Sequence, residues 1–573
     1  MRQILLLLSG FVLTVSQSQS QSPYQLSYGT YIGGIGSDYL VANSVKTDDE
    51  GARYGFYGRA KYSGMPTTEN SFQDSSDTRN GYLAIFNDQN LLEFGSYIGG
   101  SSLEHNVGSF TFTPDGGVVV VGATWSEDFP IFGANPIQSE HAELLDMFII
   151  KFDNNYDVEW STFYGGNEDD IPNDVICDQN GNIYVAGSSF SPGLSTPGVY
   201  QEEINDNDDP LNDDAVLLKL SPGGNLLWCT YFGGNVNDSF DVLALDSEGD
   251  KIYCGGETRS NTGLEDMEWQ SEIGGLSDGL LSVFNTELGT LEWATYIGGN
   301  GGESVRDLLI DEETGIYMSL YASSSDFFAS ENTHQTYLNG ESDALITSFS
   351  LEGELNWSTF YGGSGGESVG SISLRSGHLL ISGSTNSSNG IVFNDAIEDQ
   401  NNASNTVSFL AEFDLNGQIL FGTFFLTQSG AGFIHSSKYF RESEVICFGI
   451  SPEGDFSNYM FSNPLQPDYA GGGSDFILFV FNENPLNIQN QIESEFKFYP
   501  NPASSSLTVK LDELHSNLEI SLYDSQGTKI LKQLDQGGDS LEISVDQIPN
   551  GLYFLHVTSE SKSLGVQKVL VSH

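Results

Sequence analysis

The sequence predicts an all-β protein, and three observations carry that expectation. One seven-residue phrase returns seven times, beginning at Tyr28, Phe94, Trp160, Trp228, Trp293, Trp357 and Phe421, at intervals of 64 to 68 residues. Each interval holds four short runs of β-branched and aromatic residues bounded by Gly, Asn, Asp and Pro. The composition agrees, with 37 Phe, 26 Tyr and 65 Gly against 20 Lys plus Arg in 573 residues. A four-stranded antiparallel unit repeated seven times is a seven-bladed β-propeller, which manages its sheet edges by radial repetition.

Residues 1–22 read as a secretory signal: Arg2 precedes the apolar run Ile4–Val15, and Ser16-x-Ser18 or Ser18-x-Ser20 offers small residues for cleavage. No other apolar run approaches the ~20 residues of a membrane helix.

The third period is the clearest copy. Met147-FIIKFD, Trp160-STFYGG, Pro172-NDVICD and Ile183-YVAGSS each read as a strand, and Asn180-Gly181 marks the hairpin between the last two. Loop length frames the blade. Crossing from one blade's outer strand to the next blade's inner strand spans about 14 Å, which needs at least four or five extended residues. The turn before each Trp is too tight for that, as in Ser221-PGGN, whereas Asn167-EDDIPN after the glycine pair is long enough. The Asp174-VICD strand is therefore expected innermost and the Trp160-STFYGG strand outermost. The first strand, Leu26–Gly34, then has no inner partners before it. The last propeller strands, Ser437–Glu442, Val445–Ile450 and Phe476–Asn482, lack an outer one, and pairing the two ends closes the ring; a frame with the Ala215-VLLKLS strand innermost closes it in the same way.

The stretch Trp160-STFYGG…Asp178-QNGNIYVAG resembles the SBBP β-propeller repeat, over about residues 26–482. That resemblance implies the propeller fold and little about activity. The domains expected are a signal at 1–22, the propeller at 23–482, a polar linker at 483–495 and a C-terminal module at 496–573. In the module, alternation along Leu518-EISLYD, Leu541-EISVD, Leu552-YFLHVTS and Val566-QKVLVS predicts a small β-sandwich. Its pieces Tyr499-PNP, Leu522-YDSQG, Gly551-LYFLHV and Lys568-VLVS resemble the type A C-terminal sorting domain of the type IX secretion system. On that resemblance the sorting motif comprises Tyr499, Pro500, Asn501, Pro502, Gly551 and Tyr553. It implies the secretion machinery as partner, export to the medium or outer cell surface, and attachment to surface lipopolysaccharide or release.

The net charge is −59. Residues 496–573 hold 9 acidic and 6 basic side chains and residues 23–495 hold 70 and 13, so the acidity lies in the repeats. Such a surface repels nucleic acid and anionic lipid and draws cations. An acid stands four positions after the second glycine in six repeats, as Asp38, Glu104, Asp170, Asp238, Glu303 and Glu367. A second Asp opens the strand after the long loop at Asp146, Asp214, Asp278, Asp343 and Asp475. Repeated acids of this kind cap turns and strand ends. The functional alternative is a ring of carboxylates, the first six binding a ligand at the channel mouth. The loop Gln201-EEINDNDDPLNDD offers Asp206, Asp208, Asp209 and Asp213 as hard oxygen ligands for Ca²⁺, without the Gly and terminal Glu of a regular calcium loop. No cofactor is required by any motif.

Cys177, Cys229, Cys254 and Cys447 sit in apolar strands and read as buried small hydrophobes. Signatures of zinc proteases, serine hydrolases and phosphate-binding loops are missing from the sequence. Among basic residues, Arg306 and Arg375 are the nearest channel candidates, and the histidines follow no common position. The leading functional expectation is a secreted or surface binding scaffold for an extracellular glycan, protein or polymer. A polysaccharide- or peptide-acting hydrolase or lyase at the channel mouth, and a structural surface component, are the alternatives.

Overall fold

The computed structural model describes residues 22–572 except 49–50, 103, 206–211, 263, 265–268, 328, 402–405, 426–432, 442, 452–463, 472, 484–495, 501–502, 524–528 and 560–561. The chain forms two compact units, one over Gln25–Glu483 and a second that includes the described residues from Phe496 to Ser572. The described strands of the first make seven separate four-stranded antiparallel sheets. Their first strands are Tyr39–Thr47, Glu104–Phe112, Asp170–Cys177, Asp238–Leu245, Glu303–Asp311, Glu367–Arg375 and Phe433–Phe440. Each contacts the first strand of the next sheet, and the last contacts the first, so the sheets are blades of a closed ring with these strands innermost.

Blade three shows why the sequence takes this form. Asp170–Cys177, Ile183–Ser189, Asp214–Leu220 and Leu226–Phe232 pair in chain order from axis to rim. Gly181 turns the first hairpin at φ +78°, where a side chain is disfavoured. The Asp178 carboxylate holds that turn by accepting from the Asn180 and Asn182 amides at 2.9 and 2.8 Å. The middle strands are buried along both faces, as in Ile183–Ser189, because each blade packs against two others. That accounts for continuous apolar runs where a one-sided sheet would alternate. One apolar cluster, for example, joins Val119, Val121 and Ile149 of blade two to Val175, Val185 and Leu218 of blade three.

The seventh sheet joins the two ends of the ring. Tyr24–Ile32 pairs with Asp475–Glu483, followed inward by Glu444–Ser451 and Phe433–Phe440. Ser27 Oγ donates to the Val480 carbonyl at 2.9 Å, and the Tyr31 amide to the Gln466 carbonyl at 3.1 Å.

Where the repeated phrase carries a tryptophan, that residue packs its blade against the next. Trp160, Trp228 and Trp357 donate Nε1–H to the carbonyls of Pro222, Thr286 and Leu415 in the following blade, at 3.0, 2.9 and 2.7 Å. Each ring lies on a hairpin glycine, and a Cβ on Gly224, Gly289 or Gly417 would stand 2.8 to 2.9 Å from it. Where Phe94 replaces Trp, Tyr156 replaces the glycine, keeps a positive φ of 67° and stacks on Phe94 at 4.6 Å. Phe421 has no hairpin to latch, since the outer strand of blade seven comes from the other end of the chain. Trp357→Ala is expected to cost about 3–5 kcal/mol, read as a lowered denaturation midpoint. A change under ~1 kcal/mol would show the latch to be incidental.

In the second unit Phe496–Tyr499, Ser506–Tyr523, Lys529–Ser544, Gly551–Ser559 and Lys562–Val571 hydrogen-bond into one five-stranded antiparallel sheet. One core, including Phe496, Val509, Ile520, Ile543, Leu555 and Val569, serves them all. All four cysteines are free thiols, with Cys229, Cys254 and Cys447 buried.

Candidate functional site

The six acids expected around a channel mouth begin the innermost strands or stand just before them, and all are buried, at 0–2% exposure. Their bonds are those of a cap. Asp170 accepts from the Gly166 amide at 2.7 Å, Ser191 Oγ at 2.9 Å and Ser189 Oγ at 2.5 Å. Glu303 accepts from the Gly299 amide at 2.9 Å and Ser324 Oγ at 2.7 Å, and Asp238 from the Gly234 amide at 2.7 Å and Ser260 Oγ at 2.7 Å. Glu104, Glu367 and Asp38 likewise take the amide of the second glycine. Burial pushes Asp38 up to about 8, Glu104 and Asp170 to about 7 and Asp238 to about 6, against these hydrogen bonds. Direct contact with a ligand at the mouth does not match this placement; the acids fasten the chain where it enters each blade.

The second set lies behind them. Asp146, Asp214, Asp278, Asp343 and Asp475 have no exposure, and each has one carboxylate oxygen bonded to a loop amide while Oδ1 has no partner. A glutamine in the long loop completes the joint. Gln138, Gln201 and Gln270 donate Nε2–H to Asp146, Asp214 and Asp278, and their Oε1 accepts from Gly165, Gly233 and Gly298. Sequence reasoning missed these glutamines. Their signal was a Gln eight residues before the Asp in three repeats, at 138, 270 and 335, blurred by the longer loop at 201.

The channel itself is built by β-bulges. A register break interrupts the first strand of every blade, and at five of them the extra residue is Asn173, Asp241, Arg306, Gly370 or His435. Bulges re-aim side chains beside functional sites. Asn173 Nδ2 donates to Asp241 Oδ1 at 3.0 Å. Burial pushes Asp241 up to about 6, against the pull of the Arg306 guanidinium. Burial lowers the pKa of the half-buried His435 ring to about 4, which keeps it neutral. Arg306 Nε and His435 Nε2 are buried without a hydrogen-bond partner. Two ion pairs cross the channel, each skipping a blade. Lys46 meets Asp174 at 2.9 Å, and Lys438 meets Asp307 at 2.7 Å.

Of the other expected residues, Arg306 lies in this ring. Arg375 lies at the far end of its strand and serves the fold: its Nη1 donates to the carbonyls of Arg441 and Glu444, it pairs with Glu483, and it covers the Tyr439 ring at 4.0 Å. Asp206, Asp208 and Asp209 lie outside the described residues. Asp213 is bonded to Asn237 Nδ2. Among the described residues, no group of three or more His, Cys, Asp or Glu is placed to hold a metal ion, and no helix is long and apolar enough to cross a membrane.

In the C-terminal unit Tyr499 is exposed at the end of its strand and Pro500 follows it, while Asn501 and Pro502 lie outside the described residues. Gly551 opens the strand Gly551–Ser559, and the buried Tyr553 donates its hydroxyl to the Pro549 carbonyl at 2.8 Å.

Residues 497–572 match the family described as the secretion system C-terminal sorting domain, and residues 159–192 match the β-propeller repeat SBBP. The sorting domain directs export through the type IX secretion system to the medium or cell surface. No curated protein matches the chain in sequence. Among solved structures it is similar to a protein of unknown function from Dyadobacter fermentans, at 11% identity and TM-score 0.36, over 67% of this chain and 97% of that one. Chaetomium thermophilum Sqt1, solved bound to the N-terminus of ribosomal protein L10, matches at 9% identity and TM-score 0.36, over 80% and 100%. Pyrococcus horikoshii acylaminoacyl peptidase matches at 9% and 0.34, over 84% of this chain and 59% of that one.

Proposed function

We propose that the exported propeller is a binding scaffold whose extracellular ligand docks at the level of the channel bulges. The observation that supports this reading is the pair of buried, unpartnered nitrogens, Arg306 Nε and His435 Nε2, on bulges of one ring. A buried polar nitrogen left unbonded costs about 1–3 kcal/mol, so a ligand group that accepts from Arg306 Nε and one that gives to or takes from His435 Nε2 recover it. Asp241 and Asn173, on bulges of neighbouring blades, add acceptor and donor capacity. Donors and acceptors around one ring suit sugar hydroxyls, which both give and take hydrogen bonds. A net charge of −59 disfavours a strongly anionic polymer, so the ligand class is a neutral glycan. Removal of the sorting domain on export would leave the propeller released or attached to surface lipopolysaccharide.

Glycan-array screening of the mature protein, with and without Ca²⁺, tests the reading. Binding is expected for neutral glycans, with Arg306→Met weakening it about tenfold or more through loss of a charged donor. Unaltered affinity in Arg306→Met would place the ligand elsewhere, and a protein that binds no glycan would remove the class. Affinity that vanishes on chelation would bring calcium into the site.

A further inference from the structure

The paired acids at the blade seams do more than cap strands. At three seams, those at Gly165, Gly298 and Gly362, the Asp that opens a blade's third strand meets the acid that begins the next blade across the first glycine of the phrase. A Cβ on Gly362 would stand 2.3 Å from Asp343 Oδ1 and 2.3 Å from Glu367 Oε2. On Gly298 it would stand 2.4 Å from Asp278 Oδ1 and 2.8 Å from Glu303 Oε2. In both pairs Asp Oδ1 is the buried, unpartnered oxygen. Asp343 and Glu367 thus face each other across Gly362, close enough for Glu367 to raise the Asp343 carboxyl. Two ionised carboxylates are acceptors only, and at that range one proton between them supplies the missing donor.

We propose that the Asp343–Glu367 and Asp278–Glu303 seams are proton-binding sites, each holding one proton between its two carboxyls and coupling closure of the ring to pH. The chain's own exceptions support this. At the first seam Asn80 takes the place of the Asp opposite Glu104, which is the uncharged shape of a protonated aspartic acid. At the sixth, Val407 opens the third strand and residues 426–433 contain no acid, so both partners are lost together. A cation fits the site poorly. Calcium takes six to eight oxygens, whereas each seam offers two side chains pressed on glycine backbone.

The neighbouring groups define the titration. Asp343 is acted on by Glu367, Gln335 and the Asn339 amide, and Tyr361 faces Glu367. Asp278 is acted on by Glu303, Gln270 and the Gly274 and Gly275 amides, and Tyr296 faces it. At two further seams a basic side chain lowers the acid, Arg59 acting on Asp38 and His141 on Asp146. The Asp214–Asp238 seam adjoins the acidic loop and is set apart. Burial, the larger cause, and the facing acid raise Asp343 to about 7 and Asp278 to about 6 from the ordinary 3.8. The folded chain therefore binds more protons than the unfolded chain between about pH 4 and 7. Stability from these sites is complete below about pH 4 and is lost as pH rises through 6–7. Ordinary surface carboxylates titrate below that window.

Melting of the full mature chain from pH 5.5 to 8.5 tests this, with Asp343→Asn and Glu367→Gln, whose amides mimic the protonated acid, as variants. The melting temperature is expected to fall by several degrees across the range; Asp38, Glu104, Asp170 and Asp238 add to that fall with the same sign, so either variant should reduce it, not remove it, and melt higher than the native chain at pH 8.5. Unfolding at pH 7 should release protons. Three results would overturn the proposal: a flat pH profile, variants that melt lower by the same amount at both ends, or a Ca²⁺-dependent rise at pH 8.5 that chelation reverses. If Asp343→Asn does not fold, Glu367→Gln and the proton release of the native chain decide.

Discussion

Deletion of Tyr24–Ile32 is expected to abolish the folded monomer. That strand covers the edge of Asp475–Glu483, in which Phe476 to Phe481 are at most 1% exposed. Removing it uncovers an apolar β-edge, a template for pairing with other chains, and takes away the strand by which the start of the chain is paired into the last blade. At ~25 cal/mol per Å² of apolar surface, exposing several such side chains costs on the order of the whole stability of a domain. Size-exclusion chromatography should show aggregate, and a peptide of residues 22–34 supplied during refolding should restore monomer. A monomeric deletion variant that melts as the full chain does would mean that the ring does not depend on closure.

Lys438→Met is the second large effect. Asp307 is 1% exposed at its side chain, accepts from the Ile372 amide at 2.9 Å and pairs with Lys438 from a blade two places on. Removing the ammonium leaves a buried carboxylate with its charge uncompensated, which costs about 3–5 kcal/mol. The double variant Lys438→Met/Asp307→Asn is expected to recover most of that loss, since it removes the stranded charge as well. Equal destabilisation in the single and double variants would point to packing of the lysine stem in place of the ion pair. Lys46→Met should repeat the pattern at Asp174.

The fold was legible because its constraints are local and repeat. A tight turn before each Trp and a long crossing after each glycine pair order the strands by distance alone, and the sheets follow that order. The tryptophans read only as rim residues, since a latch onto Gly224 or Gly417 joins residues about 60 apart. The site was less legible. Asp170 and its relatives looked like a ligand-facing ring because spacing places them on one face, but spacing does not show depth. Ser189 and Ser191, which bury Asp170 under hydrogen bonds, lie across a hairpin. Of the bulge residues only Arg306 was anticipated, as a basic channel candidate, because Asn173, Asp241, Arg306, Gly370 and His435 share a position and no chemistry. The ion pair Lys46–Asp174 spans 128 residues and two blade boundaries, beyond the reach of any periodicity.

Hydrogen exchange of the intact chain, followed by mass spectrometry, tests ring closure most directly. Protection in Tyr24–Ile32 should equal that of the rim strands Val158–Tyr164 and Leu355–Tyr361, and should collapse together with Asp475–Glu483 when the ring opens. Exchange in Tyr24–Ile32 as fast as in an unstructured peptide, with the other rim strands protected, would contradict a propeller closed by its first strand.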